Sequence, residues 1–312
     1  MGEGDPGPEL EYLDPTRLKR LKNRTCPYCG SRLESIPSDE DHVIGRKFVP
    51  KGTLKTSWNL ALRACQKCNV EKSGLEDDIS AITMQPDAFG QLPRPDALLR
   101  TEAERKGKGS FSRRTKRPVA QSQESIRMPI PFAGGQLTFE ATAPPQVGDE
   151  RAFALARMQL AAFFYWITFD RETGAGGFWP GGFHPVIATR RADWGNALMR
   201  GFADYVVRWE PRVLATAAED FFRVAIRRHP EEETWSWALE WNAGLRLIGF
   251  FGERAPAQAI VDALPHPVVV DLPTSPTSGF RYREEVPLAE EDDRLFSQQV
   301  EPTPPDVDSD FR

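Results

Sequence analysis

Residues 26–50, CPYCGSRLESIPSDEDHVIGRKFVP, and residues 58–74, WNLALRACQKCNVEKSG, decide how this chain is read. All four cysteines lie here as two CxxC pairs, Cys26 with Cys29 and Cys65 with Cys68, and an Asp41-His42 step sits between them. Each CxxC turn presents two thiolates, and two such turns complete the tetrahedral four-sulfur shell of a closed structural zinc site. A unit of roughly 70 residues buries little core of its own, so a metal that ties distant segments together supplies stability that burial cannot.

The spacing between Cys29 and Cys65 is longer than a simple ribbon needs, so the gap must hold something else. The sequence predicts a short strand at residues 42–44, a basic Gly/Pro turn, a second ordered piece at residues 58–62, and a helix beginning near Cys68.

These motifs resemble the HNH nucleases, the ββα-metal fold, in their four-cysteine form. The resemblance runs through CPYCG, DHVIGRKF and WNLALRACQKCNVEK, in the family's order, over residues 20–85. It implies that His42 is the first motif histidine and Asn59 the middle asparagine. Asn69 stands at the third motif position, where the family carries either histidine or asparagine.

The side chains suit that chemistry. Phosphodiester hydrolysis needs a deprotonated water in line with the leaving oxygen and a cation to absorb charge on the phosphoryl group. An imidazole with an ordinary pKa of about 6.5 is largely a free base at neutral pH, so His42 is the expected general base. On a strand Asp41 points to the opposite side and is the expected ligand of a catalytic ion. The resemblance adds the Asn69 amide oxygen as a second ligand and gives Asn59 the task of orienting the His42 loop. Oxygen donors of this kind suit Mg2+, with Mn2+ as a substitute. Arg46, Lys47 and Lys72 are the expected phosphate contacts. Two other readings stay open at this level: a nucleic-acid-binding zinc module without catalysis, and an RNA-cleaving enzyme.

The chain has 312 residues, of which 40% are hydrophobic and 27% charged, enough for two modest domains. No apolar run approaches the ~18 residues a membrane helix requires. The opening MGEGDPGPELEYLDP lacks the basic start and apolar stretch of a secretory signal, which reads as cytoplasmic. The net charge of -5 conceals a partition: residues 16–72 sum to +8, residues 100–117 to +6, and residues 284–312 to -8. A basic unit followed by a basic segment is the footprint of a phosphate-bearing partner, here double-stranded DNA, although a merely solvated linker has the same composition.

The expected fold class is α+β: a zinc-stabilised ββα-metal module at residues 15–86, a basic linker at 87–122, a larger α+β domain at 123–272, and an acidic disordered tail at 273–312. In the larger domain SIRMPIPFAGGQLTFEAT reads as a hairpin about Gly134 and Gly135. A helix capped by Asp149 follows, then a second within RADWGNALMRGFADYVVRW. FFRVAIRRHP, TWSWALEW and GLRLIGFFG read as antiparallel strands, with Trp235, Trp237, Leu239 and Trp241 alternating onto one side as core rather than as a base-stacking platform. His184, His229 and His266 each lie beside proline and read as surface or turn residues. What this domain recognises is not legible; target choice, a protein partner or a regulatory input all fit.

Overall fold

The computed structural model describes residues 15–132, 134–266, 270–275, 278–282 and 284–297. It is mixed α+β. The chain begins with β1 (Leu18–Arg20), β2 (Ser38–His42) and β3 (Asn59–Cys65), which form a small sheet in the order β1-β3-β2. Strand β2 runs antiparallel to β3 and β1 parallel to it. The helix α1 (Gln66–Thr83) follows β3 with no loop between them, earlier than the expected start near Cys68. Next come α2 (Ala97–Gly109), the hairpin β4 (Glu124–Phe132) with β5 (Gly135–Ala143), and α3 (Asp149–Ile167). The N-cap of α3 is Gly148, and Asp149 is its first residue rather than its cap.

A five-stranded antiparallel sheet forms the rest. Its strands are β6 (Gly182–Arg190), β7 (Glu210–Ala217), β8 (Phe222–Arg228), β9 (Thr234–Trp241) and β10 (Leu245–Gly252), in the order β6-β10-β9-β8-β7. Between β6 and β7 lies α4 (Ala197–Val206), capped by the Asn196 side chain, and after β10 lies α5 (Arg254–Ala263). A last hairpin pairs β11 (Val270–Ser275) with β12 (Ser278–Tyr282).

Both faces of the large sheet are buried. Trp237, Leu239 and Trp241 point to one face, where they meet Leu160 and Phe163 of α3; Ala238 and Ile248 point to the other, against Phe202 of α4 and Ala257 of α5. The alternation that makes TWSWALEW legible as a strand therefore builds core.

The first of these cores also contains Val43, Ile44, Phe48, Trp58 and Leu60. The Phe48 and Trp241 rings meet edge to face with centroids 5.4 Å apart. Trp58 Nε1 donates to the Thr216 carbonyl at 2.8 Å. Asn242 and Ala243 both take positive φ in the β9–β10 turn, and the fully buried Asn242 amide donates to the Phe48 carbonyl at 3.1 Å and to Thr83 Oγ1 at 2.9 Å. Gly244 permits this approach, since a Cβ there would lie 2.1 Å from the Thr83 carbonyl oxygen. The expected boundaries at residues 86 and 123 do not separate two cores.

Two further expectations are corrected. Residues 87–122 are not a solvated linker: they contain α2, whose Leu99 and Ala103 are buried and whose N-cap Asp96 accepts hydrogen bonds from the Leu98 and Leu99 amides. Residues 284–297 of the acidic tail are docked. Leu295 is buried against the second core, and Asp293 takes both Arg246 nitrogens, at 2.6 and 3.2 Å. Residues 273–275 and 278–282 of the same tail belong to the β11–β12 hairpin, and residues 276, 277, 283 and 298–312 lie outside the described residues.

Among the described residues no helix is long and apolar enough to cross a membrane.

Candidate metal centre and catalytic site

The Cys26–Cys29 turn is closed by the Gly30 amide donating to the Cys26 carbonyl at 2.8 Å, with Gly30 at φ 74°. Cys65 ends β3 and caps α1, so Cys65 and Cys68 both lie at a helix N-terminus, where the macrodipole favours thiolates. The Cys65 amide donates to Cys26 Sγ at 3.5 Å, tying the two pairs together. All four Sγ atoms lie within 4.8 Å of one another. Cys29 and Cys65 are separated by 3.7 Å, against about 3.8 Å for an edge of a tetrahedron with zinc–sulfur bonds of about 2.3 Å. The donor set and its spacing fit a structural metal ion.

Burial raises the Cys26 and Cys68 thiols. At Cys29 burial pushes the same way, but hydrogen bonding with Ser31 pulls the thiol down to about 7. Metal binding here must therefore displace protons from buried thiols.

The second group of residues lies around the end of β2. Asp41 and His42 face opposite ways, Asp41 inward and His42 half-exposed. Both Asp41 carboxylate oxygens are engaged: the Tyr28 hydroxyl donates to Oδ2 and the Lys72 ammonium to Oδ1, the latter at 3.2 Å. Lys72 also donates to Glu76 Oε1 and to the His42 carbonyl, each at 2.8 Å. Its side chain is 1% exposed. Lys72 is thus not a phosphate contact: it is spent inside the protein on two carboxylates and a carbonyl. Arg46 and Lys47 are exposed and remain available for that role.

His42 Nε2 lies 3.2 Å from Arg46 Nη2. A guanidinium only donates, so Nε2 accepts and the ring proton belongs on Nδ1. Burial depresses the His42 pKa below the ordinary imidazole value, and the Arg46 charge acts in the same direction. Glu40, whose Oε1 lies 3.8 Å from Nε2, and Asp41 act the other way.

Asn59, at the start of β3, holds the segment that follows His42. Its Nδ2 donates to the Ile44 carbonyl at 2.8 Å, and its Oδ1 accepts from the Ile44 amide at 3.2 Å and from the Leu60 amide at 2.8 Å. Asn69 is half-buried in the first turn of α1, one turn before Lys72. Gly45 lets the His42 loop approach α1, because a Cβ there would fall 2.2 Å from Glu76 Oε2. Sequence reasoning passed over Tyr28 and Glu76. The legible signal was the Lys72 and Glu76 pair at i, i+4 on a helix.

No family, curated protein or solved structure matches this chain.

Proposed function

We propose that the protein is an HNH-type endonuclease that hydrolyses phosphodiester bonds in double-stranded DNA, with a structural zinc ion in the four-cysteine cluster. The observation that carries this reading is the half-exposed His42 imidazole, its Nε2 3.2 Å from Arg46, held on a loop fixed by Asn59. It is a base with a cation next to it, as attack of water on a phosphate diester demands.

His42 Nε2 takes the proton of the attacking water. In the resting arrangement the Arg46 guanidinium occupies that lone pair. A phosphate that draws Arg46 to itself frees the base, so substrate binding and base activation are one event. Lys47 adds charge on the same exposed loop. The loop keeps its position through Asn59 and through Lys72, which grips the His42 carbonyl.

Asp41 and Asn69 are the residues that would hold a catalytic Mg2+ or Mn2+. Both Asp41 oxygens already accept hydrogen bonds, from Tyr28 and from Lys72, so an ion would have to share that carboxylate with the Lys72 ammonium. Bound there, such an ion would stabilise charge on the phosphoryl oxygens.

The test is incubation of purified protein with supercoiled plasmid, single-stranded DNA and RNA, each with Mg2+ and with chelator. Mg2+-dependent relaxation or linearisation of plasmid supports the reading. Cleavage of RNA alone would move the activity to the RNA-cleaving alternative, and binding without cleavage would leave a nucleic-acid-binding zinc module.

A further inference from the structure

A cavity of about 540 Å³ opens where the end of α1, the segment at residues 85–93, the start of α3 and the end of β6 meet. That volume is in the range of small-molecule sites, roughly 300–1,000 Å³. Its walls are mixed: Val147, Ala188 and Leu245 are apolar, Thr83 and Gln85 are polar, Asp149 and Arg190 are charged, and Phe89 belongs to its lining while 87% exposed.

One cation in this lining lacks a carboxylate partner, although Asp87, Asp149 and Glu285 line the same cavity. Arg190, the last residue of β6, donates through Nη2 to the Pro145 carbonyl and makes no ion pair with any described residue. A guanidinium carries five N–H donors, so most of its capacity remains for whatever enters the cavity it lines. Burial lowers its pKa, with Glu285 and Asp87 only partly opposing that effect from beyond ion-pair distance. Asp87 is committed elsewhere, its Oδ1 accepting from the Phe89 and Gln91 amides at 2.8 Å each. Glu285 is exposed. Arg190 is half-buried, and an anion that supplies a bidentate partner gives its guanidinium stronger acceptors than the single Pro145 carbonyl.

We propose that this cavity binds a small organic oxyanion, a carboxylate or phosphate ester with a flat apolar body, whose anionic head is held by the Arg190 fork. The apolar body lies along Val147, Ala188 and Leu245, with Phe89 closing over it. The site adjoins α1 directly: Gln85 lines it and also bonds the Ala81 and Ala103 carbonyls, joining α1 to α2. A ligand here meets the helix that carries Asn69 and Lys72 without touching the His42 loop. This gives the second half of the chain a sensing role that stands whether or not the first half cleaves DNA.

The experiment is calorimetric titration of the full-length protein with phenyl phosphate, benzoate, inorganic phosphate and the neutral benzamide. Binding of phenyl phosphate or benzoate in preference to benzamide is expected, and which of the two binds more tightly assigns the head group. Inorganic phosphate, which has no apolar body, is expected to bind less tightly than phenyl phosphate. Arg190→Met should weaken the preferred aromatic anion at least about tenfold, in line with the usual worth of a hydrogen bond to a charged group. Arg190→Lys should bind with intermediate affinity. Ala188→Leu, which narrows the cavity without touching the charge, should also abolish binding. Equal binding of benzamide, no binding by either aromatic anion, or an Arg190→Met protein that binds the preferred anion as wild type would overturn the proposal.

Discussion

The Lys72 ammonium stands 3.2 Å from Asp41 Oδ1 and 2.8 Å from Glu76 Oε1, with 1% of its side chain exposed. Removing one partner of a buried charge cluster leaves the others without compensation, at a typical cost of about 3–5 kcal/mol. Lys72→Met should therefore lower the unfolding free energy in urea by an amount of that order. A loss below about 1 kcal/mol, the range of an exposed pair, would mean that the two carboxylates are not held as described.

The zinc prediction follows from four sulfurs gathered within 4.8 Å. One metal ion per chain is expected by elemental analysis of protein purified without chelator. Cys65→Ser should lose the metal and melt well below the wild type. Stoichiometric metal retained after that substitution would exclude the four-cysteine site.

The Phe48 and Trp241 contact makes the first unit dependent on the large sheet. Trp241→Ala removes a fully buried indole and should cost about 3–5 kcal/mol. Because one core serves both parts, a single cooperative transition is expected in the wild type, with tryptophan fluorescence and zinc release coinciding. Two separated transitions would restore the independent module.

These contacts mark the limit of what the sequence disclosed. Strand β9 was legible because its tryptophans alternate, β8 and β10 because they are short apolar runs on either side of it, and the cysteine unit because metal spacing is short-range. Helix α2 was hidden because its composition is basic and glycine-bearing, while its core contact rests on only Leu99 and Ala103. Strand β6 carries Pro185 beside a register shift and β7 opens on Glu210 and Pro211, so neither shows a clean period of two. At Lys72 and Leu295 charge counting misled, because burial and pairing depend on partners distant in the chain.

Helix α2 also carries a pH signature. Lys106 is buried and donates to the Lys47 carbonyl and Ser80 Oγ, and burial pulls its pKa from 10.5 to about 8. The charges around it are Glu102 and Arg105 on its own helix and Asp77 and Glu76 on α1. Between about 8 and 10.5 the unfolded chain binds more protons at this site than the folded one, so its contribution to stability rises with pH. The stability of wild type relative to Lys106→Met should therefore improve as pH is raised from 7 to about 10. A wild type that loses stability relative to Lys106→Met over this range would contradict the burial of the charged amine.

Arg113, Arg114, Lys116 and Arg117 lie on a closed turn, in which the Ser112 amide meets the Arg117 carbonyl at 2.9 Å and Lys116 takes φ 58°. If this turn contacts DNA, replacing all four with Ser should make the slope of log affinity against log salt shallower by up to about 3 to 4 units. An unchanged slope would show that these charges serve the solvent alone.

The central claim is that His42 is the base of a phosphodiesterase, and His42→Ala tests it most directly. In Mg2+ the wild type should nick or linearise plasmid, with activity rising through a pH below the ordinary imidazole value of 6.5, because burial and Arg46 depress His42. The His42→Ala protein should keep its zinc and its affinity for DNA and lose cleavage by at least about 100-fold, the lower end of what a general base contributes. Cleavage by His42→Ala at the wild-type rate would contradict the account.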